Sequence, residues 1–312
     1  MVSPITLYDL VPQPGGTFMT PNPPKARFSL LHKGVAFETR EVTWMGLKAL
    51  GKRMGVERPT GVHSLPPFFL SFLRLTLFAP GCQFPPSSFQ TGPFFLIRGR
   101  SPSEQLDAQT RTWRHLRCAS SRWLEANYPD APSLFLPDVP TPIDPASPAL
   151  RFAKNAALLF SEGFGSSDAQ WSTFFELSAP GMAALMEEGS ETDKEPHLQD
   201  WNYFVSDAKL GMKDGYKTLT SLDKKALAAH AKASLLPLEA VLKRTPFLAG
   251  EHPGFIDYVA IGRYFMMRSA DPALCRAIWR RGEIPEVEKW IERIQGKWAA
   301  ELKDLLERLP AE

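Results

Sequence analysis

Residues 5–42 read as a strand, a helix and a second strand in close succession. Ile5 to Leu10 (ITLYDL) is a short β-branched and aromatic run of the kind that forms a strand. A Pro- and Gly-rich loop follows from Pro12 to Pro24, and Ala26, Leu30 and Leu31 then recur at helical spacing ahead of Gly34, a residue suited to a helix C-cap. Ala36 to Val42 alternates as a strand does. These elements make the first half of an α/β unit. Residues 45–58 predict a further helix, with Leu47, Leu50 and Met54 on one face.

From Pro59 to about Arg117 the chain is rich in Pro, Phe and Ser and loses clear periodicity. A structureless stretch of that length is uncommon inside a compact domain. It reads as a loop insertion or as sequence that the native gene does not encode, through a retained intron or a shifted frame. Its most apolar part, Leu65 to Pro80, holds Arg74 and several prolines and falls short of the about 20 apolar residues of a bilayer span. Order returns at Arg122-Trp123-Leu124-Glu125-Ala126-Asn127-Tyr128-Pro129, a helix end stopped by proline.

A Pro- and Asp-rich linker, residues 130–146, separates two domains, 1–129 and 147–312. The second is helical in pattern throughout: Pro148 to Glu162, Ser167 to Glu188, roughly Glu195 to Met212, Leu222 to Arg244, Gly254 to Arg268 and Pro285 to Leu309. In the fifth of these Gly254 is placed as N-cap, Asp257 at N3 as its capping carboxylate, and Pro253 and Tyr258 at the staple positions, so Asp257 reads as a folding residue.

With 36 basic and 34 acidic residues spread along 312, the chain has no basic stripe, and nucleic acid is not an expected partner. Three scattered cysteines suit neither a disulfide framework nor a zinc site, and the six histidines show no paired-ligand spacing, so no metal is expected. The start lacks a signal-peptide pattern, and the cytoplasm is the expected compartment.

Three segments carry a resemblance to a known family. They are ITLYDL with TPNPPKARFSLLHKGVAFETREV, the later RWLEANYPDAPSLF, and Pro246-Phe247-Leu248-Ala249-Gly250-Glu251-His252-Pro253-Gly254-Phe255-Ile256-Asp257. In that order they resemble glutathione transferases of the fungal, beta-etherase-like kind. The resemblance implies an α/β N-terminal thioredoxin-like domain joined to an all-α C-terminal helical domain. It also implies glutathione as co-substrate and a small apolar electrophile as the second partner, with a possible homodimer as the assembly.

The resemblance places the thiolate-stabilising hydroxyl at Thr20, with Asn22 as a second donor, where the family usually carries serine. Thr17 is the rival hydroxyl, in a loop that Gly15 and Gly16 allow close to a ligand. Lys25 and Arg27 fall in the first helical turn, where a cation opposes the helix dipole unless it meets an anion. A glutathione carboxylate is one such anion; a solvated helix face is the alternative reading.

The family's cis-proline before the third strand is matched by Gly92-Pro93, with Pro66, Pro67 and Pro102 as alternatives. Its acidic-Ser pair falls on Leu116 and Arg117, which depart from the pattern, and Ser120 and Ser121 are the substitutes. Phe164, Trp171, Phe174 and Phe175, with Tyr258 from the later helix, are candidates for the electrophile's wall, although aromatics at helical spacing also describe a packed core. Two functions are expected: an enzyme joining glutathione to an electrophile or cleaving one with it, and, alternatively, a non-catalytic ligand-binding protein of the same fold.

Overall fold

The computed structural model of the protein describes residues 5–13, 15–53, 96–98, 119–166, 171–188 and 194–311. Strand β1 (Ile5–Leu10), helix α1 (Asn22–His32) and strand β2 (Phe37–Val42) open the chain as expected, followed by α2 (Trp44–Arg53) and the short β3 (Leu96–Arg98). The sheet order is β2-β1-β3. β1 pairs in parallel with β2, in the register Ile5 with Phe37 through Leu10 with Val42, and antiparallel with β3. Parallel neighbours need a crossover, and α1 supplies it. Ile5, Leu7 and Leu10 are buried, as a central strand requires.

β3 lies inside the stretch expected to be irregular, and its three residues are strand because β1 offers them a free edge. The remainder of that stretch, including Leu65 to Pro80, Gly92, Pro93, Leu116 and Arg117, lies outside the described residues.

The helical part consists, among the described residues, of α3 (Ala119–Asn127), α4 (Pro148–Gly163), α5 (Thr173–Glu188), α6 (Lys194–Phe204), α7 (Asp207–Leu210), α8 (Gly215–Ser221), α9 (Lys224–Leu242), α10 (Phe255–Ala270), α11 (Pro272–Trp279), α12 (Pro285–Lys297) and α13 (Lys303–Arg308). Three boundaries correct the sequence reading. The expected helix from Glu195 to Met212 is broken after Phe204. There the Ser206 hydroxyl caps α7 by accepting from the Lys209 amide, and Gly211, with φ of 76°, ends it. The helix expected from Pro285 to Leu309 stops at Lys297, and α11 was not anticipated at all.

α10 is the spine of the molecule. Its sequence, FIDYVAIGRYFMMRSA, is apolar on nearly every side, which is the pattern of a helix with neighbours all round. It packs against α1, α4, α5 and α11. Asp257, fully buried, fixes where it starts: its carboxylate accepts from the amides of Leu248 (2.7 Å), Ala249 (3.2 Å) and Gly254 (2.9 Å) and from the Trp290 indole (2.8 Å). The capping box at Gly254 and Asp257 is present as the sequence indicated. Burial raises the Asp257 pKa to about 6 against the pull of these four donors.

The linker is pinned through its first half. Asp138 accepts from the Glu251 and His252 amides, each at 2.9 Å, and the Leu134 carbonyl accepts from the Phe255 amide at 2.7 Å. Lys33, at the end of α1, pairs with Glu125 of α3 at 2.9 Å in a buried contact, and Glu125 in turn accepts from the Ser133 hydroxyl and the Leu134 amide. Breaking one partner of such a pair leaves a buried charge uncompensated. The contact therefore fixes α1, α3 and the linker as one unit.

Candidate active site

The amino end of α1 is built from Thr20-Pro21-Asn22-Pro23-Pro24. A helix ordinarily leaves four unbonded backbone N–H groups at this end. Here Pro21 is the N-cap and Pro23 and Pro24 follow Asn22 in the first turn, so three of those four positions have no N–H to offer. The remaining one, on Asn22, donates to the Thr20 hydroxyl oxygen at 3.4 Å. This end therefore does not present the nest of backbone donors that draws anions to most helix starts. A donor for an incoming anion has to come from side chains, and the hydroxyl hydrogen of Thr20 and the amide of Asn22 are the groups in place. Both residues are buried, Thr20 to 3% exposure.

Neighbouring elements hold this turn in position. Gly262 of α10 lies so close beneath it that a Cβ there would sit 2.4 Å from the Pro21 carbonyl oxygen. On the next turn of α1, Arg27 reaches Asp9 at the end of β1 at 2.5 Å, and both are buried. Burial raises the Asp9 pKa, and the Arg27 guanidinium opposes the rise. The expectation that Lys25 and Arg27 form a solvated face is corrected: the Lys25 ammonium is 5.5 Å from the Phe255 ring centroid, and Arg27 is spent on Asp9. Arg27 also lies over the Phe37 ring of β2, 5.6 Å from its centroid.

Thr17 sits in the loop after β1, partly exposed. Its neighbour Gly15 takes a φ of 76° and donates its amide to Glu41 of β2 at 2.7 Å. Glu41 is also bound by Arg308 of α13, so the last helix reaches back to the strand that anchors the Thr17 loop.

The aromatic candidates do not meet on one wall; the structure divides them among three clusters. Phe164 stacks on Phe160 at 5.1 Å and packs against Phe174 at 5.2 Å and Trp279 at 6.3 Å, in the helical core. Trp171 is buried, its indole donating to the Leu210 carbonyl, and Phe175 packs between it and Phe204. For Phe164 and Trp171 the core reading replaces the wall reading, because their rings are enclosed by other helices. Tyr258 stands where α10 meets α1: its ring stacks on Phe28 at 5.6 Å and its hydroxyl lies 2.7 Å from His32 Nδ1.

The Ser133 carbonyl can only accept, so His32 Nε2, 3.1 Å away, carries the hydrogen and Nδ1 is the acceptor. Burial lowers the His32 pKa to about 4, and burial with the Asp257 charge keeps Tyr258 protonated. His32 and Tyr258 are thus a neutral, partly buried brace. Ser121 is buried on α3, Ser120 belongs to the same helix, and Gly92 and Pro93 lie outside the described residues. Gly262 and the Asp9–Arg27 pair carried no signal in the sequence reading.

Residues 211–297 match the family described as glutathione S-transferase, C-terminal domain. The fold is similar to that of the glutathione S-transferase CsGST83044 of Ceriporiopsis subvermispora, solved in complex with glutathione. The TM-score is 0.56 at 15% identity, over 95% of this chain and 100% of that one. It is likewise similar to glutathione transferase GSTFuA3 from Phanerochaete chrysosporium, with a TM-score of 0.58 at 17% identity, over 94% and 97% of the two chains. No curated protein matches the chain in sequence. The protein has the glutathione transferase fold, a small strand-and-helix N-terminal region followed by that family's helical C-terminal domain.

Proposed function

We propose that the protein is a glutathione transferase of the fungal, beta-etherase-like kind, which joins glutathione to a small apolar electrophile or uses it to cleave one. The observation that carries this reading is the Thr20 hydroxyl at the amino end of α1. Its oxygen accepts from the Asn22 amide at 3.4 Å, and its own hydrogen is left to donate to sulfur. A free thiol has a pKa of about 8.5, and the thiolate is the nucleophile. A hydrogen bond to sulfur favours the thiolate and holds it for attack, so positioning and thiolate formation supply the catalysis. Asn22 is the second donor in this reading, and Thr17 stands nearby as the alternative hydroxyl.

Glutathione is the co-substrate in this reading, with its sulfur presented to Thr20. A homodimer and a cytoplasmic setting belong to the same reading. On α4, Phe152 and Leu159 are 75% and 73% exposed, an apolar face that a second copy would cover. Among the described residues no helix is long and apolar enough to cross a membrane.

The test is a conjugation assay on wild type, Thr20→Ser and Thr20→Ala, with the ultraviolet absorbance of the bound thiolate followed against pH. A hydrogen bond to a charged group contributes about 1.5–3 kcal/mol, so Thr20→Ala is expected to lower kcat/KM by roughly 10- to 150-fold and to raise the pKa of the bound thiol, with Thr20→Ser restoring both. An unchanged rate and an unchanged thiol pKa in Thr20→Ala would reject the assignment. Tight retention on immobilised glutathione without turnover on a broad electrophile panel would favour a non-catalytic ligand-binding protein.

A further inference from the structure

A second concavity lies away from the α1 corner. Between the first turn of α3, the end of the linker and the first turns of α4 there is a pocket of about 500 Å³ lined by Arg122, Pro145, Ala146, Arg151, Lys154 and Asn155. Half of these residues are cationic and none is acidic. Among the described residues, the side-chain charges of Arg122, Arg151 and Lys154 have no carboxylate in ion-pair contact, and the contact recorded for Lys154 is with the Phe135 ring, 5.8 Å from its centroid. The nearest acid to act on Lys154 is Glu125, which is already bound by Lys33, Ser133 and Leu134. Burial lowers the Lys154 pKa, and the Arg122 and Lys33 charges push the same way. Three like charges are thus gathered round one hollow, none of them in ion-pair contact with a carboxylate among the described residues.

We propose that this pocket binds a small phosphorylated molecule, with its dianionic group held by Arg122, Arg151 and Lys154 and its organic body in the remaining volume. A single carboxylate would offset only one of the three charges, whereas a phosphate monoester carries close to two and offers oxygens that match the guanidinium forks. The volume is that of a small-molecule site and exceeds what a bare phosphate ion fills. Asn155 supplies an amide for an oxygen of the organic part. The site uses neither Thr20 nor Asn22 and does not depend on the glutathione reading.

The experiment is calorimetric titration of the intact chain, at fixed ionic strength and without glutathione, with phenyl phosphate and with inorganic phosphate. Saturable binding is expected, tighter for phenyl phosphate. Arg122→Gln, Arg151→Gln and Lys154→Gln should each weaken it about tenfold, the triple variant should abolish it, and Thr20→Ala should leave it unchanged. Because the variants remove mutual repulsion, the triple variant is expected to melt no lower than wild type in buffer and to gain nothing from added phenyl phosphate. Absence of saturable binding at millimolar phenyl phosphate, or equal binding by the folded triple variant, would overturn the proposal. Binding to vesicles containing phosphatidate, with no response to soluble phenyl phosphate, would overturn it in favour of a lipid headgroup.

Discussion

Replacing Gly262 by alanine tests whether α10 sets the position of the turn that carries Thr20. Alanine is favoured over glycine in a helix by about 1 kcal/mol, so the substitution would stabilise the protein if the site were open. It is closed: the new Cβ would lie 2.4 Å from the Pro21 carbonyl oxygen and 3.3 Å from its carbon, where ordinary contact begins at 3.4 Å. Neither side yields easily. Pro21 has its φ fixed by its ring, and α10 is held at its start by the four bonds of Asp257. Overpacking of this kind costs about 1–3 kcal/mol. Gly262→Ala should therefore lower the unfolding free energy in urea by about that amount and raise KM for glutathione, since the Thr20 turn is displaced. Gly296 in α12 is the control, because nothing lies within 4 Å of its Cβ position, and Gly296→Ala should gain up to about 1 kcal/mol. Equal stabilisation by both substitutions would refute the packing argument.

Asp257→Ala orphans four donors at once, each costing about 1–3 kcal/mol if left unpaired, and should unfold at much lower urea with a loss above about 3 kcal/mol. For His32, the folded pKa of about 4 lies below the ordinary 6.5, so the unfolded chain takes up the proton first. The stability this contributes is complete above pH 6.5 and is lost as pH falls toward 4, about 3 kcal/mol in all, and His32→Gln should flatten that slope in pH-dependent melts. Asp257 acts with the opposite sign, its contribution being complete below pH 3.8 and lost as pH rises through about 6. Comparing each variant with wild type separates the two. Lys33→Met should cost about 3–5 kcal/mol in urea unfolding by stranding Glu125. Phe152→Glu with Leu159→Glu should shift a dimer to monomer in sedimentation while leaving the melting temperature nearly unchanged.

Local signals were legible where one segment decides its own structure. β1, α1 and β2 follow from alternation and helical spacing, and the start of α10 follows from Gly254 and Asp257. α11 also had a local signal that went unread: Asp271 before Pro272 is an N-cap, and its carboxylate accepts from the Leu274 amide at 2.9 Å. The break between α6 and α7 was written in Ser206 and Gly211, but the apolar pattern ran across it. At the proposed site, the family resemblance implied Thr20, and the prolines after it marked the start of α1. Its supports left no such mark, since Gly262 under Pro21 and Arg27 on Asp9 are made by the tertiary fold. Helical spacing likewise suggested one stretch for Phe164 and Trp171, which in the structure lie outside α4 and α5, packed on Phe174 and bonded to Leu210 respectively.

The row of prolines at the start of α1 has a spectroscopic side. Amide-proton methods, whether exchange or chemical-shift mapping, depend on backbone hydrogens that Pro21, Pro23 and Pro24 do not possess. Only Asn22 and the flanking Thr20 can report from that turn. Ligand mapping here is better served by methyl signals, with the Thr20 methyl as the probe within that turn.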